Sequence, residues 1–186
     1  GLMCAITAGQ RGRRVLVIDH ANKPGKKILM SGGGRCNFTN LNVTDQQFIS
    51  HNPMFCKSAL SRYSPQDFIT LVKSHGIAFH EKTLGQLFCD HSSKDILNML
   101  LAECRKVAVD ICLNTSISSV RQSEHHPYCI KTEEAAFEAS SLVIATGGLS
   151  IPTMGASPFG YRVAEQFDIK VWPTRAGLVP LTLRPE

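Results

Sequence analysis

The sequence contains no C-x-x-C pair, no internal repeat, no low-complexity segment and no apolar run approaching the roughly 20 residues of a membrane helix. Its seven cysteines, at positions 4, 36, 56, 89, 104, 112 and 129, are odd in number and irregularly spaced. That pattern speaks against a disulfide framework or a structural zinc site and leaves reduced, mostly buried thiols. Aromatic residues are scarce, at 7%, and the basic residues behind the net charge of +5 gather in two short clusters, RGRR at 11–14 and KPGKK at 23–27. Nucleic-acid binding calls for a larger basic face with aromatics interleaved. The expectation is therefore no nucleic-acid partner, each cluster being a solvated surface or the neighbour of a small anionic ligand. The first apolar stretch is short and runs into QRGRR, so no secretory leader, no membrane partner and a cytoplasmic location are expected.

What is present is a chain of 186 residues, 43% apolar and 19% charged, enough for one sizeable domain with its own core. GLMCAITAGQRG has helical spacing at Leu2, Ala5, Ile6 and Gly9 with a stop at Gly12, and RRVLVIDH reads as a buried strand ending in Asp19. NPMFCKSALSRY and SPQDFITLVKSHG read as helices, the second with Ser64 as N-cap, Pro65 at its first position and Gly76 as terminator. IAFHE and QLFC are short strands, and SSKDILNMLLAECRKVA is the strongest helix, capped by serine with Asp95 in its first turn. DICLN, SISSVRQ, PYCIKT and AFEAS suggest an antiparallel meander. A second apolar strand, SLVIATGG, a helix in SPFGYRVAEQFD and a final strand in LVPLTLRP complete the reading.

Three pieces carry chemistry. Gly1, a helix, a strand and then Asp19 have the spacing of the last glycine and the acid of a dinucleotide-binding βαβ unit. There the helix N-terminus attracts pyrophosphate and the acid holds ribose hydroxyls. SGGGRCN follows, in which consecutive glycines let main chain approach an anion closely. Arg35 can neutralise phosphate, and Asn37 offers both a donor and an acceptor. SLVIATGG brings backbone to the carboxyl edge of a parallel sheet, where α/β folds bind nucleotides. Each piece alone has a plain structural reading, respectively a chance helix–strand–acid order, a hinge or tight turn, and a strand followed by a glycine turn. Cys36 has no partner cysteine in motif spacing and reads as a packing or backbone residue. His125 and His126, without metal-ligand company, read as surface residues. His20 reads as a loop residue and Trp172 as packing or a domain edge.

The segments KPGKKILMSGGGRCNFTN and VIATGGLSIPTMGASPFGYRVAEQF closely resemble the HI0933-like family of bacterial NAD(P)/FAD-dependent oxidoreductases, which includes a reductase of bile-acid double bonds. The resemblance implies an α/β, Rossmann-like FAD-binding fold of the glutathione-reductase type, with parallel sheet, helices and a β-meander. On that pattern Gly1 is the third fingerprint glycine and Asp19 holds the FAD ribose. Lys27, Gly33, Gly34, Arg35, Cys36 and Asn37 match the loop along pyrophosphate and flavin. Ile117 occupies the strand position that meets adenine, and Thr146 and Gly147 match the turn beside the dinucleotide. Two positions depart from it: Cys89 stands where proline is common, and Asp168 where glycine is usual. Family members are more than twice as long, so the chain is expected to be an internal fragment, incomplete in its first strand and its C-terminal half. A partial FAD-binding domain is expected over residues 1–175, with a substrate-side domain starting at 176–186.

The function expected from the resemblance is hydride transfer between NAD(P)H and a small organic substrate by way of FAD, with no residue singled out as a general acid or base. Two alternatives remain, a non-catalytic nucleotide-binding remnant and an RNA-modifying flavoenzyme. The small, split basic clusters argue against the second.

Overall fold

The computed structural model describes residues 1–122, 127–152, 155–175 and 177. It falls into two compact units, Gly1–Leu142 and Val143–Glu186.

In the first unit, helix α1 (Leu2–Gln10) leads into strand β1 (Leu16–Ile18), and the short helix α2 (Lys26–Met30) runs into a 3-10 turn at Ser31–Gly34. Strand β2 (Asn37–Asn40), helices α3 (Lys57–Arg62) and α4 (Pro65–Ser74), and strands β3 (Phe79–Glu81) and β4 (Gln86–Cys89) follow. Helix α5 (Ser93–Lys106) then precedes β5 (Asp110–Cys112), β6 (Ile117–Arg121), β7 (Tyr128–Thr132) and β8 (Ala136–Ala139).

Helix α5 begins where Ser92 accepts a hydrogen bond from the Lys94 amide and Asp95 reaches back to the Ser92 amide, which satisfies donors that a helix start leaves open. Its apolar spacing buries Ile96, Leu97, Met99, Leu100 and Cys104. Ile96, Met99, Leu100 and Cys104 join Ile6 of α1, Val72 of α4, and Cys36 and Cys89 in one core cluster. Burying each large aliphatic side chain contributes about 1.5–3 kcal/mol, so this face dominates the unit's stability.

The strands form three sheets. β1 and β5 pair in parallel, Leu16 opposite Asp110 and Ile18 opposite Cys112. β2, β4 and β3 form an antiparallel sheet in that order, and β6, β7 and β8 form the meander. DICLN was expected in the meander, but it joins β1 instead. Helix α5 returns the chain to the side on which β1 lies, the crossover that parallel pairing requires. The polar stretch after the glycines also holds a strand not anticipated from sequence, β2.

In the second unit, helix α6 (Phe159–Gln166) forms as expected. SLVIATGG does not form the predicted strand: residues 141–148 are irregular, and Val143 and Ile144 are exposed. A strand exists through hydrogen bonds to a neighbour, and among the described residues none pairs with this segment. Asp168 lies in the left-handed region, φ 55°, just after α6, which explains why glycine suits that position. Lys170 Nζ sits 3.9 Å from the centroid of the exposed Trp172 ring. LVPLTLRP, His125 and His126 lie outside the described residues. Among the described residues no helix is long and apolar enough to cross a membrane, and no three potential metal ligands are gathered.

Among the described residues one carboxylate is buried. Glu103 Oε1 accepts a hydrogen bond from Lys106 Nζ at 2.6 Å and lies 2.6 Å from His75 Nε2. The Lys106 bond first, and then His75, hold its pKa below the ordinary value of 4.5. Because the folded-state value is lowered, the stabilisation is complete above 4.5 and is lost as pH falls through the lowered value. Urea denaturation between about pH 5 and about pH 3 should therefore show a steeper loss of stability in the parent chain than in Glu103→Gln.

Candidate nucleotide-binding site

The site is built where α1, β1 and the glycine loop begin or end. Gly1 is the N-cap of α1, and no side chain caps it and no acid occupies the first turn. The start of this nine-residue helix thus presents amide groups and the positive end of the helix dipole. Asp19 follows directly on β1. Its amide donates to the Cys112 carbonyl at 2.9 Å, and its own carbonyl accepts from the Thr115 amide at 3.0 Å. Its Oδ1 accepts from the Ala21 amide at 2.9 Å. The carboxylate is thereby fixed at the carboxyl end of the parallel pair, with His20 Nδ1 3.7 Å away.

The glycine loop adopts a conformation that other residues rarely take. Gly32, Gly33 and Gly34 have φ values of 58°, 64° and 87°, and beyond the right-handed Arg35, at −106°, Cys36 lies at 52°. The three glycines serve different purposes. A Cβ on Gly32 would lie 2.7 Å from the Asn37 amide nitrogen and 2.7 Å from Phe88 Cε1, so this position is bare because the Phe88 ring packs against it. A Cβ on Gly33 or Gly34 would meet nothing within 4 Å. Those two present uncluttered main chain to open space, the feature that an anion-binding loop requires. Arg35 and Asn37 flank them with exposed side chains.

An open pocket of about 320 Å³ has Lys27, Ser31, Cys36, Asn37, Phe38 and Leu100 among its lining. The structure therefore brings Lys27, Cys36 and Asn37 to one pocket. Gly1, Asp19, Gly33, Gly34 and Arg35 do not line it. Ile117 opens β6, opposite Thr132. In the second unit Thr146 and Gly147 are exposed, and Gly160 at the start of α6 makes room for Thr146, whose Oγ1 would lie 2.9 Å from a Cβ there.

Cys36 has a neighbour that motif spacing could not reveal. Asn37 stands opposite Phe88, and the Cys89 amide donates to the Arg35 carbonyl at 3.0 Å, so the ladder sets Cys36 beside Cys89. Both thiols are buried in the core cluster. Burial first, and then the neighbouring Cys36, push Cys89 up to about 11, and burial raises Cys36 against a hydrogen bond with Ser31. These are inert packing thiols, so Cys36 can offer a ligand main chain but not a nucleophile.

Parallel strands with helices, bare glycine main chain and an acid at a strand end define a Rossmann-type nucleotide-binding domain. The chain belongs to the HI0933-like family: the HI0933-like protein Rossmann domain matches residues 1–183. The family is FAD-binding. A ribosomal RNA dihydrouridine synthase of Escherichia coli K12 is 57% identical over 183 residues, 98% of this chain and 46% of that protein. Another, from Haemophilus influenzae Rd, is 49% identical over 99% of this chain and 47% of its own length. A 3-dehydro-bile acid delta(4,6)-reductase of Clostridium scindens is 24% identical over 99% of this chain and 45% of its own length. The chain thus spans about half the length of the curated relatives it matches.

These relatives overturn two expectations. Hydride transfer from NAD(P)H to a small organic substrate gives way, because the relatives at 57% and 49% identity are named for modification of RNA. The expected absence of a nucleic-acid partner falls for the same reason. Counting basic clusters along the chain was the wrong test, since cations distant in sequence can share one face of a fold.

Two outcomes are expected of the loop and the thiols. Gly32→Ala should destabilise the chain by about 2 kcal/mol or more, combining backbone strain with overpacking against Phe88, whereas Gly33→Ala should cost only about 1 kcal/mol of strain. Urea denaturation distinguishes them. Iodoacetamide at neutral pH should label the exposed Cys4 of the native chain and leave Cys36, Cys89 and Cys104 unlabelled until denaturant is added, as read by peptide mass spectrometry.

Proposed function

We propose that this chain forms the FAD-binding part of an enzyme that reduces uridine in ribosomal RNA to dihydrouridine. The observation that carries the reading is the 57% identity, over nearly the whole chain, to a protein named for that reaction. The uracil C5–C6 double bond takes up two electrons and two protons, and FAD, when bound, supplies two-electron reduction chemistry. We place a reduced nicotinamide nucleotide as the electron donor and the enzyme in the cytoplasm, where ribosomal RNA is found.

The protein's part is binding and orientation. Gly1 and the start of α1 face the pyrophosphate, and Asp19 accepts hydrogen bonds from ribose. Gly33 and Gly34 give main-chain contact, Cys36 contributes through its backbone alone, and Lys27 and Arg35 balance phosphate charge. Asn37 offers a donor and an acceptor to the ring edge, Ile117 lies along adenine, and Thr146 and Gly147 border the dinucleotide. No residue of this chain is assigned the proton transfer to the base.

The test is a graft. The chain replaces the corresponding residues of the Escherichia coli relative in a strain lacking its own enzyme, and nucleosides from digested ribosomal RNA are measured by mass spectrometry. Dihydrouridine should be restored, and Asp19→Ala in the graft should lower FAD content roughly tenfold for the loss of a charged hydrogen bond. A folded, yellow graft that leaves the RNA unmodified overturns the proposal. Anaerobic loss of absorbance near 450 nm on adding NADH or NADPH checks the electron donor.

A further inference from the structure

Within the first unit, the ends of three helices meet at the end of α1 away from Gly1. Gly9, near the end of α1, touches Val107, just beyond the end of α5: a Cβ on Gly9 would lie 2.5 Å from Val107 Cγ2. The Asp110 amide donates to the Val15 carbonyl at 3.0 Å, which fixes the turn entering β1 beside the turn entering β5. His75, at the end of α4, lies 2.6 Å from Glu103 on the last turns of α5. Arg11, Arg13, Arg14, Lys73, Arg105 and Lys106 are therefore gathered at one edge, and all six are exposed.

Only two carboxylates belong to these turns, Glu103 and Asp110, and Glu103 is already engaged by Lys106 and His75. Among the described residues no carboxylate is within ion-pair distance of Arg11, Arg13, Arg14, Lys73 or Arg105. Six cations against two carboxylates account for most of the chain's net charge of +5. Cations in the last turn of a helix balance its dipole, and this explains Lys73, Arg105 and Lys106. It does not explain Arg13 and Arg14, which lie beyond α1 in the turn to β1.

Resting on the reading of the chain as part of an RNA-reducing enzyme, we propose that this edge is the surface that grips the phosphate backbone of the RNA substrate. No aromatic side chain accompanies the six cations in these turns, so the contact is electrostatic and independent of sequence, positioning the strand rather than reading it. The nine residues of α1 separate it from the start of that helix by about 13 Å at about 1.5 Å per residue.

The test measures binding of the 186-residue chain to a fluorescein-labelled single-stranded fragment of ribosomal RNA across a salt series. The triple variant Arg11→Gln, Arg13→Gln, Arg14→Gln should bind at least about tenfold more weakly, with the slope of log affinity on log salt reduced by about 2, at about 0.7 per lost phosphate contact. A control triple of equal charge loss, Arg62→Gln, Arg121→Gln, Lys131→Gln, should bind like the parent. Circular dichroism verifies that both triples are folded, and Lys73→Gln with Arg105→Gln provides a second variant on the same edge. The proposal is overturned if the control triple weakens binding as much, if neither edge variant weakens it, or if poly-glutamate competes as well as RNA. Failure here with dihydrouridine formation by the graft intact removes the surface alone. RNA binding at this edge with an inactive graft removes the enzymatic reading instead.

Discussion

The apolar face of α5 is the surface against which much of the first unit is assembled. Ile96 and Met99 are almost completely enclosed, and truncating either to alanine would cost about 2–5 kcal/mol. α1, α2 and β4 each pack against this helix, and the absent side chain of Gly9 sets how closely α1 approaches it. The functional elements inherit their positions from that packing. α2 carries the chain from Asp19 to the glycine loop, and Ser93 Oγ ties it down by donating to the Leu29 carbonyl at 2.9 Å. A cofactor loop needs a rigid support, and this helix provides it.

The glycine tract shows how one short run serves two masters. Gly32, though exposed, is kept bare by the ring of Phe88, while Gly33 and Gly34 have open space where a side chain would stand. Arg35 breaks the left-handed run and Cys36 resumes it, its thiol dropping into the core beside Cys89 while Arg35 and Asn37 remain exposed. Alternating inward anchors with outward polar groups is how a loop is held in one shape without blocking its ligand.

The helices were legible because their signals are local. The Ser64–Asp67 and Ser92–Asp95 capping boxes and the apolar spacing of α5 can be read within a few residues. The turn at the glycines and the place of Asp19 at the end of β1 were legible for the same reason. What depends on partners distant in sequence was not. The sheet partner of DICLN is β1, almost a hundred residues earlier, and nothing in its five residues says parallel or antiparallel. The neighbour of Cys36 is Cys89, joined to it only through strand register. SLVIATGG has strand composition, yet composition supplies no hydrogen-bonding neighbour. The basic edge was legible only as RGRR at 11–14, because its other charges, Lys73, Arg105 and Lys106, come from two segments far along the chain.

The parallel pair has a consequence for the chain in solution. β1 and β5 form a ribbon of two three-residue strands, and among the described residues neither has a second strand beside it. Parallel ribbons of that size are not self-supporting, and their outer amide and carbonyl rows invite another backbone. At high protein concentration those rows become a route to self-association by strand addition, so the colloidal behaviour of the isolated chain will be governed by main-chain groups more than by its charge.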